Sequence, residues 1–285
     1  MTLQGTILRR LYAFVSPGWR SSVVAGFIGE VASLLSPRKK VALENLSRAF
    51  PNRDSAWKKE VLSSCYHHLA WSIVEFMCLA KMPDRVGDWF VSVSGEDTLK
   101  RLRAEGKGAI LLTGHIGNWE LLAGWFANKG YPIHAIVRPP NDIEVASILE
   151  EFRARVGLKT FSKYNIMLGA ARLAKKGAFM AILADQDGGN GGIHVPFMGE
   201  SCSTPGGPAA LSHLAGVPII PVVSYRISPF RHEVHIYEPL GEPDIKDRSG
   251  RIEYITAEAN IILEKMIREH PEQWLWLHRR WKNKG

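Results

Sequence analysis

Residues 114–120, Gly-His-Ile-Gly-Asn-Trp-Glu, place a histidine and a carboxylate five positions apart. An imidazole takes a proton from a hydroxyl, and a neighbouring carboxylate fixes the tautomer of the ring and stabilises the imidazolium that forms. General-base acyl transfer requires this arrangement and needs no serine or cysteine nucleophile. We therefore identify His115 and Glu120 as the candidate catalytic pair, with Glu120 holding and polarising His115.

The residues on either side predict a strand-to-helix junction. Residues 108–113 are short, apolar and bounded by glycine, as a buried strand is. Asn118 is a favourable N-cap for a helix over 118–129, which Lys129-Gly130 closes. His115 then stands at the end of a strand, and the backbone amides near Gly117 and Asn118 are candidates to stabilise an oxyanion.

Alternating strands and helices follow this junction. Further strands are predicted at 132–137, 179–184, 217–223 and 233–237, and helices at 142–156, 164–176 and 206–215. Before the junction, Asp54-Ser55 can cap a long helix whose apolar stripe reaches Met77. This order predicts an α/β fold with a central, largely parallel sheet flanked by helices, and a site at the carboxyl ends of the strands.

Charged residues follow three of these strands. His115 follows the first, Arg138 the second and Asp185 the third. Arg138 is the best candidate to bind a phosphate of the donor or acceptor, because a guanidinium matches phosphate in a two-pronged way. The remaining candidates for substrate binding are Asn118, Asp185, Asp187, Arg153 and Arg155, although Arg153 and Arg155 also fit exposed charges near a helix end.

Composition describes a globular chain with an anionic partner. Its 285 residues are 46% hydrophobic and 22% charged, and the net charge is +8. A basic balance suits nucleic acid, anionic lipid or an acidic protein. The three cysteines, Cys65, Cys78 and Cys202, have no disulfide or zinc pattern, which favours a reduced compartment.

The N-terminal 40 residues are predicted to associate with a membrane, ahead of a single α/β domain over 41–285. The apolar run over 21–35 is broken by Glu30 and is shorter than the roughly 20 residues that a bilayer span needs. Basic residues flank it, so we expect N-terminal membrane-interfacial helices. The alternative is a helix packed on the core with solvated basic ends.

Other chemistries fit less well. His115, Glu120, Asp185, Asp187 and His194 match no common zinc or binuclear spacing, so we expect no metal. A Gly-x-Ser-x-Gly elbow is absent, and the glycine-rich loop over 188–192 lacks the ending of a P-loop. Tryptophans and basic residues interleave over 274–281, which suits stacking on nucleic acid, a membrane interface, a headgroup site or a cap packed on the sheet edge.

Six segments in order resemble the lipid A late acyltransferase (lauroyl/myristoyl transferase) family of the lysophospholipid acyltransferase superfamily. They are residues 114–120, 184–188, 195–199, 203–209, 216–222 and 271–281, and residues 45–51 add to the resemblance. The resemblance implies an acyl-acyl carrier protein or acyl-CoA donor, no cofactor, and a glycolipid acceptor such as a lipid A precursor. It also implies anionic membrane lipid as a partner, no nucleic acid, and the cytoplasmic face of a bacterial inner membrane, reached peripherally or by a single N-terminal anchor.

Three alternatives stay open from the sequence. The acceptor is another glycolipid or a phospholipid; or water replaces the acceptor at His115, which makes the protein a thioesterase; or the chain is a non-catalytic basic protein that binds lipid or nucleic acid.

Overall fold

The computed structural model describes residues 2–162 and 167–282. Its strands are β1 (Phe90–Ser94), β2 (Ala109–Thr113), β3 (Ile133–Val137), β4 (Lys159–Ser162), β5 (Phe179–Leu183), β6 (Ile193–Phe197), β7 (Glu200–Thr204), β8 (Ile219–Ser228) and β9 (Arg231–Ile236). The predicted strands are all present. Strands β1, β4 and the hairpin of β6 and β7 were not predicted, because they are short and, in β1, largely exposed.

Seven of these strands form the central sheet, in the order β1-β9-β8-β2-β5-β3-β4. Every neighbouring pair is parallel except β8 and β9, which form an antiparallel pair. The prediction of a largely parallel α/β sheet is therefore confirmed. The carboxyl ends of β2, β5 and β3 lie side by side at one edge, because these three strands run in the same direction.

Helices cover both faces of the sheet. They are α1 (Leu3–Phe14), α2 (Trp19–Leu35), α3 (Lys39–Ala49), α4 (Ser55–Lys81), α5 (Glu96–Ala104), α6 (Trp119–Asn128), α7 (Ile143–Arg155), α8 (Met167–Lys175), α9 (Gly207–Ala215) and α10 (Arg248–Glu269). The predicted caps are confirmed, since Asp54 accepts a hydrogen bond from the amide of Trp57 and Asn118 from that of Leu121. The first residues of the helix predicted over 164–176 lie outside the described residues.

Alternation along β2 divides the core between the two faces. Ile110 and Leu112 face a core that includes α8, α9, α10 and the C-terminal tail. Ala109 and Leu111 face a core formed with α4, α6 and α7. All five residues of β2 are buried, as expected for a central parallel strand covered on both faces.

The N-terminal helices pack on the second of these cores. Val24 and Ala25 of α2 are buried against it, and Lys81 of α4 donates hydrogen bonds to the carbonyls of Ala13 and Val15. Among the described residues, no helix is both long and apolar enough to cross a bilayer. The boundary between residues 1–40 and 41–285 stays a prediction.

A buried ion pair ties α4 to the sheet. Glu75 is fully buried, and Arg226 of β8 donates to it at 2.8 Å while His232 of β9 lies 3.2 Å away. Asn118 and the amide of Phe230 donate to the same carboxylate. Burial alone would raise the pKa of Glu75, but the charges of Arg226 and His232 outweigh burial and hold this pKa far below its ordinary value.

Replacing Arg226 by methionine should strongly destabilise the fold, because it leaves a buried carboxylate without its cation. We expect Arg226→Met to lower the free energy of unfolding by about 3–5 kcal/mol, measured by urea denaturation. Arg85→Met, which breaks an exposed pair with Asp88, is the matched control and should change stability little. An Arg226→Met protein as stable as this control would contradict the role of the pair.

Candidate active site

The three strand ends meet at one cavity, as the sequence predicted. His115 follows β2 and Arg138 follows β3, and both line a cavity of about 800 Å³. Asp185 follows β5 and lies buried directly behind His115. The edge of the sheet therefore brings together residues that are 70 positions apart in the chain.

His115 is held by Asp185 through two hydrogen bonds. The amide of His115 donates to Asp185 Oδ2 at 2.8 Å, and His115 Nδ1 lies 2.9 Å from Oδ1. The indole of Trp274 donates to Oδ2 at 2.8 Å. Gly114 leaves room for this carboxylate, since a Cβ there would lie 3.0 Å from Asp185 Cγ.

These contacts decide the protonation of the pair. Burial would raise the pKa of Asp185, but His115 and the hydrogen bonds from His115 and Trp274 outweigh burial and lower it to about 2. Asp185 is therefore ionised at neutral pH and accepts from Nδ1–H of His115. That bond leaves His115 Nε2 unprotonated on a ring that lines the cavity, which is the tautomer a general base needs.

Glu120 has a different partner from the one expected. The sequence analysis gave Glu120 the task of holding His115, but in the structure Asp185 makes that contact. The carboxylate of Glu120 instead forms a two-pronged pair with Arg153, at 2.6 Å and 3.2 Å. Glu120 still lines the cavity, and it lies in the first turn of α6. Spacing in the chain did not reveal that Arg153 of α7 would face it.

Arg153 is committed within the protein. Its guanidinium also binds Glu150, 3.1 Å away, and only 13% of its side chain is exposed. Burial would lower the pKa of Arg153, but Glu120 and Glu150 outweigh it and raise this pKa. Arg153 lines the cavity, and its pair with Glu120 joins α6 to α7. Its role in substrate binding stays a prediction.

Asn118 and the nearby amides are also occupied. Asn118 is buried, caps α6 and donates to Glu75, and its contact with substrate stays a prediction. The amide of Gly117 donates to the carbonyl of Gln273, and that of Asn118 to the carbonyl of Ser224. Neither amide is available to the predicted oxyanion. Gly117 adopts φ +59°, and a Cβ there would lie 1.7 Å from the Ser224 oxygen, so only glycine fits.

The other predicted substrate ligands divide into two groups. Arg138 is exposed at the mouth of the cavity, and Asp187 lines it and pairs with Lys282 at 3.0 Å. Arg155 lies elsewhere: it binds Glu151 and the hydroxyl of Tyr12 on α1. Arg155 is two positions after Arg153, and residues two positions apart in an α-helix lie on different faces.

The C-terminal tail is part of the site and of the core. Trp274, Trp276 and Trp281 are buried, which agrees with the alternative of a packed cap. The amide of Leu275 donates to the carbonyl of His115, and the fully buried Arg280 donates to the carbonyl of Gln186. The tail therefore holds the backbone at His115 and at Gln186, the residue after Asp185.

Two further polar side chains face the cavity. Gln186 Nε2 lies 3.4 Å from both ring nitrogens of His115. His278 lines the cavity too, and burial, with the charge of His115, lowers its pKa even though Asp185 and Asp187 act to raise it. The sequence analysis noted His278 only as one of the basic residues of the tail and did not single out Gln186. In the described residues, no cluster of three or more histidine, cysteine or carboxylate side chains is placed to hold a metal.

The structure places a histidine, held by a buried carboxylate, beside a cavity at the carboxyl ends of parallel strands. Comparison of sequences gives the family. The chain belongs to the bacterial lipid A biosynthesis acyltransferases, whose family model matches residues 3–283. The family resemblance in the sequence analysis and the prediction of an acyltransferase are therefore confirmed.

Characterised relatives agree with this family. Over 261 residues the chain is 29% identical to the lipid A biosynthesis palmitoleoyltransferase of Escherichia coli (strain K12) and 25% identical to the lipid A biosynthesis lauroyltransferase of that strain. Each comparison covers 90% of this chain and 83% of the relative. A phosphatidylinositol mannoside acyltransferase of Mycobacterium tuberculosis (strain ATCC 25618 / H37Rv) is 23% identical, over 71% of this chain and 62% of its own.

A solved structure covers a similar share of the chain. It is the 1-acyl-sn-glycerophosphate acyltransferase of Thermotoga maritima, which matches 90% of this chain and 96% of its own with a TM-score of 0.42 and 14% identity. A likeness at this level carries no argument about the site.

Asp185→Asn should cost more activity than Glu120→Gln. The asparagine retains the shape but cannot stabilise the imidazolium, so we expect turnover to fall by roughly 10²–10⁴-fold, measured with saturating substrates. In Glu120→Gln the contact between His115 and Asp185 is intact, and we expect a smaller loss of turnover. The opposite order of the two losses would return the orienting role to Glu120.

Proposed function

We propose that this acyltransferase moves a fatty acyl chain from a thioester donor, carried by acyl carrier protein, to a hydroxyl of a lipid A precursor. The observation that carries the proposal is the ring of His115, held by Asp185 with Nε2 unprotonated, beside a cavity with apolar inner walls. His115 can accept the proton of a hydroxyl, and the apolar walls can bury a hydrocarbon chain away from water.

His115 Nε2 takes the proton of the acceptor hydroxyl, and the hydroxyl oxygen attacks the carbonyl carbon of the thioester. The new C–O ester bond forms, the C–S bond breaks, and the imidazolium returns its proton to the departing thiolate. Asp185 stays ionised throughout and stabilises the imidazolium. No acyl-enzyme is needed, because the acceptor attacks the donor directly.

The carbonyl oxygen becomes negative during this attack and needs a hydrogen-bond donor. Since the amides of Gly117 and Asn118 are already used within the backbone, we assign this role to a side chain. Gln186 is the best placed, because its Nε2 lies 3.4 Å from the ring that performs the chemistry. An amide donor stabilises an oxyanion without itself changing charge.

Arg138 is the proposed phosphate ligand. It is exposed at the mouth of the cavity, where a phosphate of either substrate can approach it, and a guanidinium binds phosphate by two parallel hydrogen bonds. The net charge of +8 supports an acidic protein donor and an anionic membrane surface.

The face of α2 that points away from the core supports membrane association. Trp19, Val23, Phe27 and Val31 recur every fourth residue and are exposed, with Leu34 and Leu35 beyond them. Arg20 covers the rings of Phe14 and Trp19. An apolar stripe edged by arginine is typical of a helix that lies in the membrane interface. We propose peripheral attachment to the cytoplasmic face of the inner membrane.

The start of α1 lies near the cavity mouth. Helix α7 begins shortly after the end of β3. The amide of Thr2, at the start of α1, donates to Glu144 in the first turn of α7. Exposed apolar side chains of Ile143 and Leu168 occur at this end, and Met167 lines the cavity itself. A membrane that contacts the start of α1, Ile143 and Leu168 would therefore lie close to the cavity mouth.

Following a labelled acyl chain separates the proposed transferase from a thioesterase at the same site. With labelled acyl-acyl carrier protein and a lipid A precursor, we expect the label on the lipid, and His115→Ala should lower its transfer by roughly 10²–10⁴-fold. Label that appears mainly as free fatty acid would favour the thioesterase. Normal transfer by His115→Ala would overturn the mechanism.

Polar substitutions on α2 should weaken membrane binding. The double variant Trp19→Ser, Phe27→Ser removes two exposed apolar side chains, so it should bind anionic vesicles less tightly than the wild type in a sedimentation assay. Wild-type binding should also weaken as salt rises and be lower with neutral vesicles. Ile261→Ser, on the exposed face of α10, is the matched control. Equal binding by all three proteins would exclude α2 as the membrane contact.

A further inference from the structure

His278 places a second imidazole in the wall of the cavity that holds His115. It lies on the C-terminal tail between two anchors. The amide of Leu275 donates to the carbonyl of His115, and Arg280 donates to the carbonyl of Gln186. The stretch of backbone that carries the ring of His278 is therefore fixed relative to the catalytic histidine and to the proposed oxyanion donor.

The ring of His278 makes no hydrogen bond to another described residue. Its Nδ1 is buried without a partner, whereas Nε2 is not enclosed by protein. A polar atom that is buried unpaired loses its bonds to water and gains none in return, and native proteins contain few such atoms. No hydrogen bond of the ring within the described part of the chain explains why a histidine stands at this position.

The surroundings of His278 decide its charge and its tautomer. Burial and the charge of His115 lower the pKa of His278 against the opposing effect of Asp185 and Asp187, so the ring is neutral at pH 7. A neutral imidazole has one N–H and one lone pair. An N–H left unpaired at the buried Nδ1 is the costlier arrangement, so the proton lies on Nε2. His278 then presents an uncharged N–H donor to the cavity.

The acyl transfer needs a donor of this kind. As the acceptor hydroxyl adds to the thioester carbonyl carbon, the π pair of the C=O bond moves to the carbonyl oxygen, and it re-forms the C=O bond when the C–S bond breaks. Oxyanion sites commonly place two donors on this oxygen. We propose that His278 is a catalytic residue whose Nε2–H donates to the oxyanion together with Gln186. This inference rests on the proposed function and adds a second donor to its oxyanion site.

The neutrality of His278 separates this role from phosphate binding. A phosphate is held best by charged donors, and the exposed Arg138 at the cavity mouth is one. An uncharged donor acts most strongly on an oxygen whose negative charge appears only during the reaction. Interactions that strengthen only in the transition state raise turnover and leave substrate binding unchanged. Loss of the His278 donor should therefore lower kcat and not raise KM.

Four substitutions test the role in transfer of a labelled acyl chain from acyl-acyl carrier protein to a lipid A precursor. His278→Leu has no donor and should lower kcat by about 10²-fold, with both KM values within about twofold of the wild type. His278→Gln, whose amide nitrogen lies at the level of Nε2, should retain kcat within about tenfold. His278→Asn places its amide at the level of Nδ1 and should lose as much as His278→Leu. His213 of α9 is exposed and is not among the described residues that line this cavity, so His213→Leu is the matched control.

Two further measurements separate catalysis from folding. Since Nδ1 of His278 is buried without a partner, His278→Leu should melt at the wild-type temperature or above it, whereas loss of a structural residue would lower the melting temperature. The pH dependence of kcat/KM should keep the limb set by His115, because His278 transfers no proton. If His278→Leu fails to fold, the comparison of His278→Asn with His278→Gln still decides the role.

The outcomes distinguish this role from the proposed function. A wild type that transfers the label, with unchanged kcat in His278→Leu, with equal kcat in His278→Asn and His278→Gln, or with a shifted pH limb in His278→Gln, overturns the oxyanion role while the acyl transfer stands. Failure of the wild type to transfer the label to the lipid overturns the proposed function, and the role of His278 in that transfer with it.

Discussion

The buried carboxylate of Asp185 is the contact on which the site depends. It accepts hydrogen bonds from the amide and ring of His115 and from the indole of Trp274, so it joins the ends of two strands to the C-terminal tail. A buried charge is tolerated only when its lone pairs are filled, and these donors fill them. The same bonds select the tautomer of His115. One set of contacts therefore both satisfies the buried charge and orients the ring of His115.

A second buried network of hydrogen bonds holds the loop that follows His115. Arg226 pairs with Glu75, and its backbone exchanges hydrogen bonds with the side chain of Gln273. The carbonyl of Gln273 in turn accepts from the amide of Gly117, two residues after His115. Helix α4, the sheet and the tail are thus connected to the loop by groups that cannot be removed singly without leaving a buried polar atom unpaired. This arrangement explains why the loop's amides serve the fold and not the oxyanion.

The ion pair of Glu120 and Arg153 lies in the wall of the cavity. It joins α6 to α7 across the cavity, and both side chains are about 13–14% exposed. A two-pronged bond between planar groups fixes the distance and the angle between the helices that carry them. Both residues line the cavity, so the pair fixes one part of its wall, while Asp185 fixes the ring of His115.

The sequence by itself determined the alternation of strands and helices, the caps at Asp54 and Asn118, and the delivery of His115, Arg138 and Asp185 to one edge. These features depend on local periodicity and on the common direction of parallel strands. Both can be predicted from short stretches of sequence. Motifs in their order also gave the family. Only the tertiary structure decided the partners of these residues: Asp185 in place of Glu120 at His115, Arg153 at Glu120, and Trp274 at Asp185. Each of these contacts joins residues at least 33 positions apart, and which of several carboxylates reaches a given ring depends on how helices and tail pack, not on spacing along the chain.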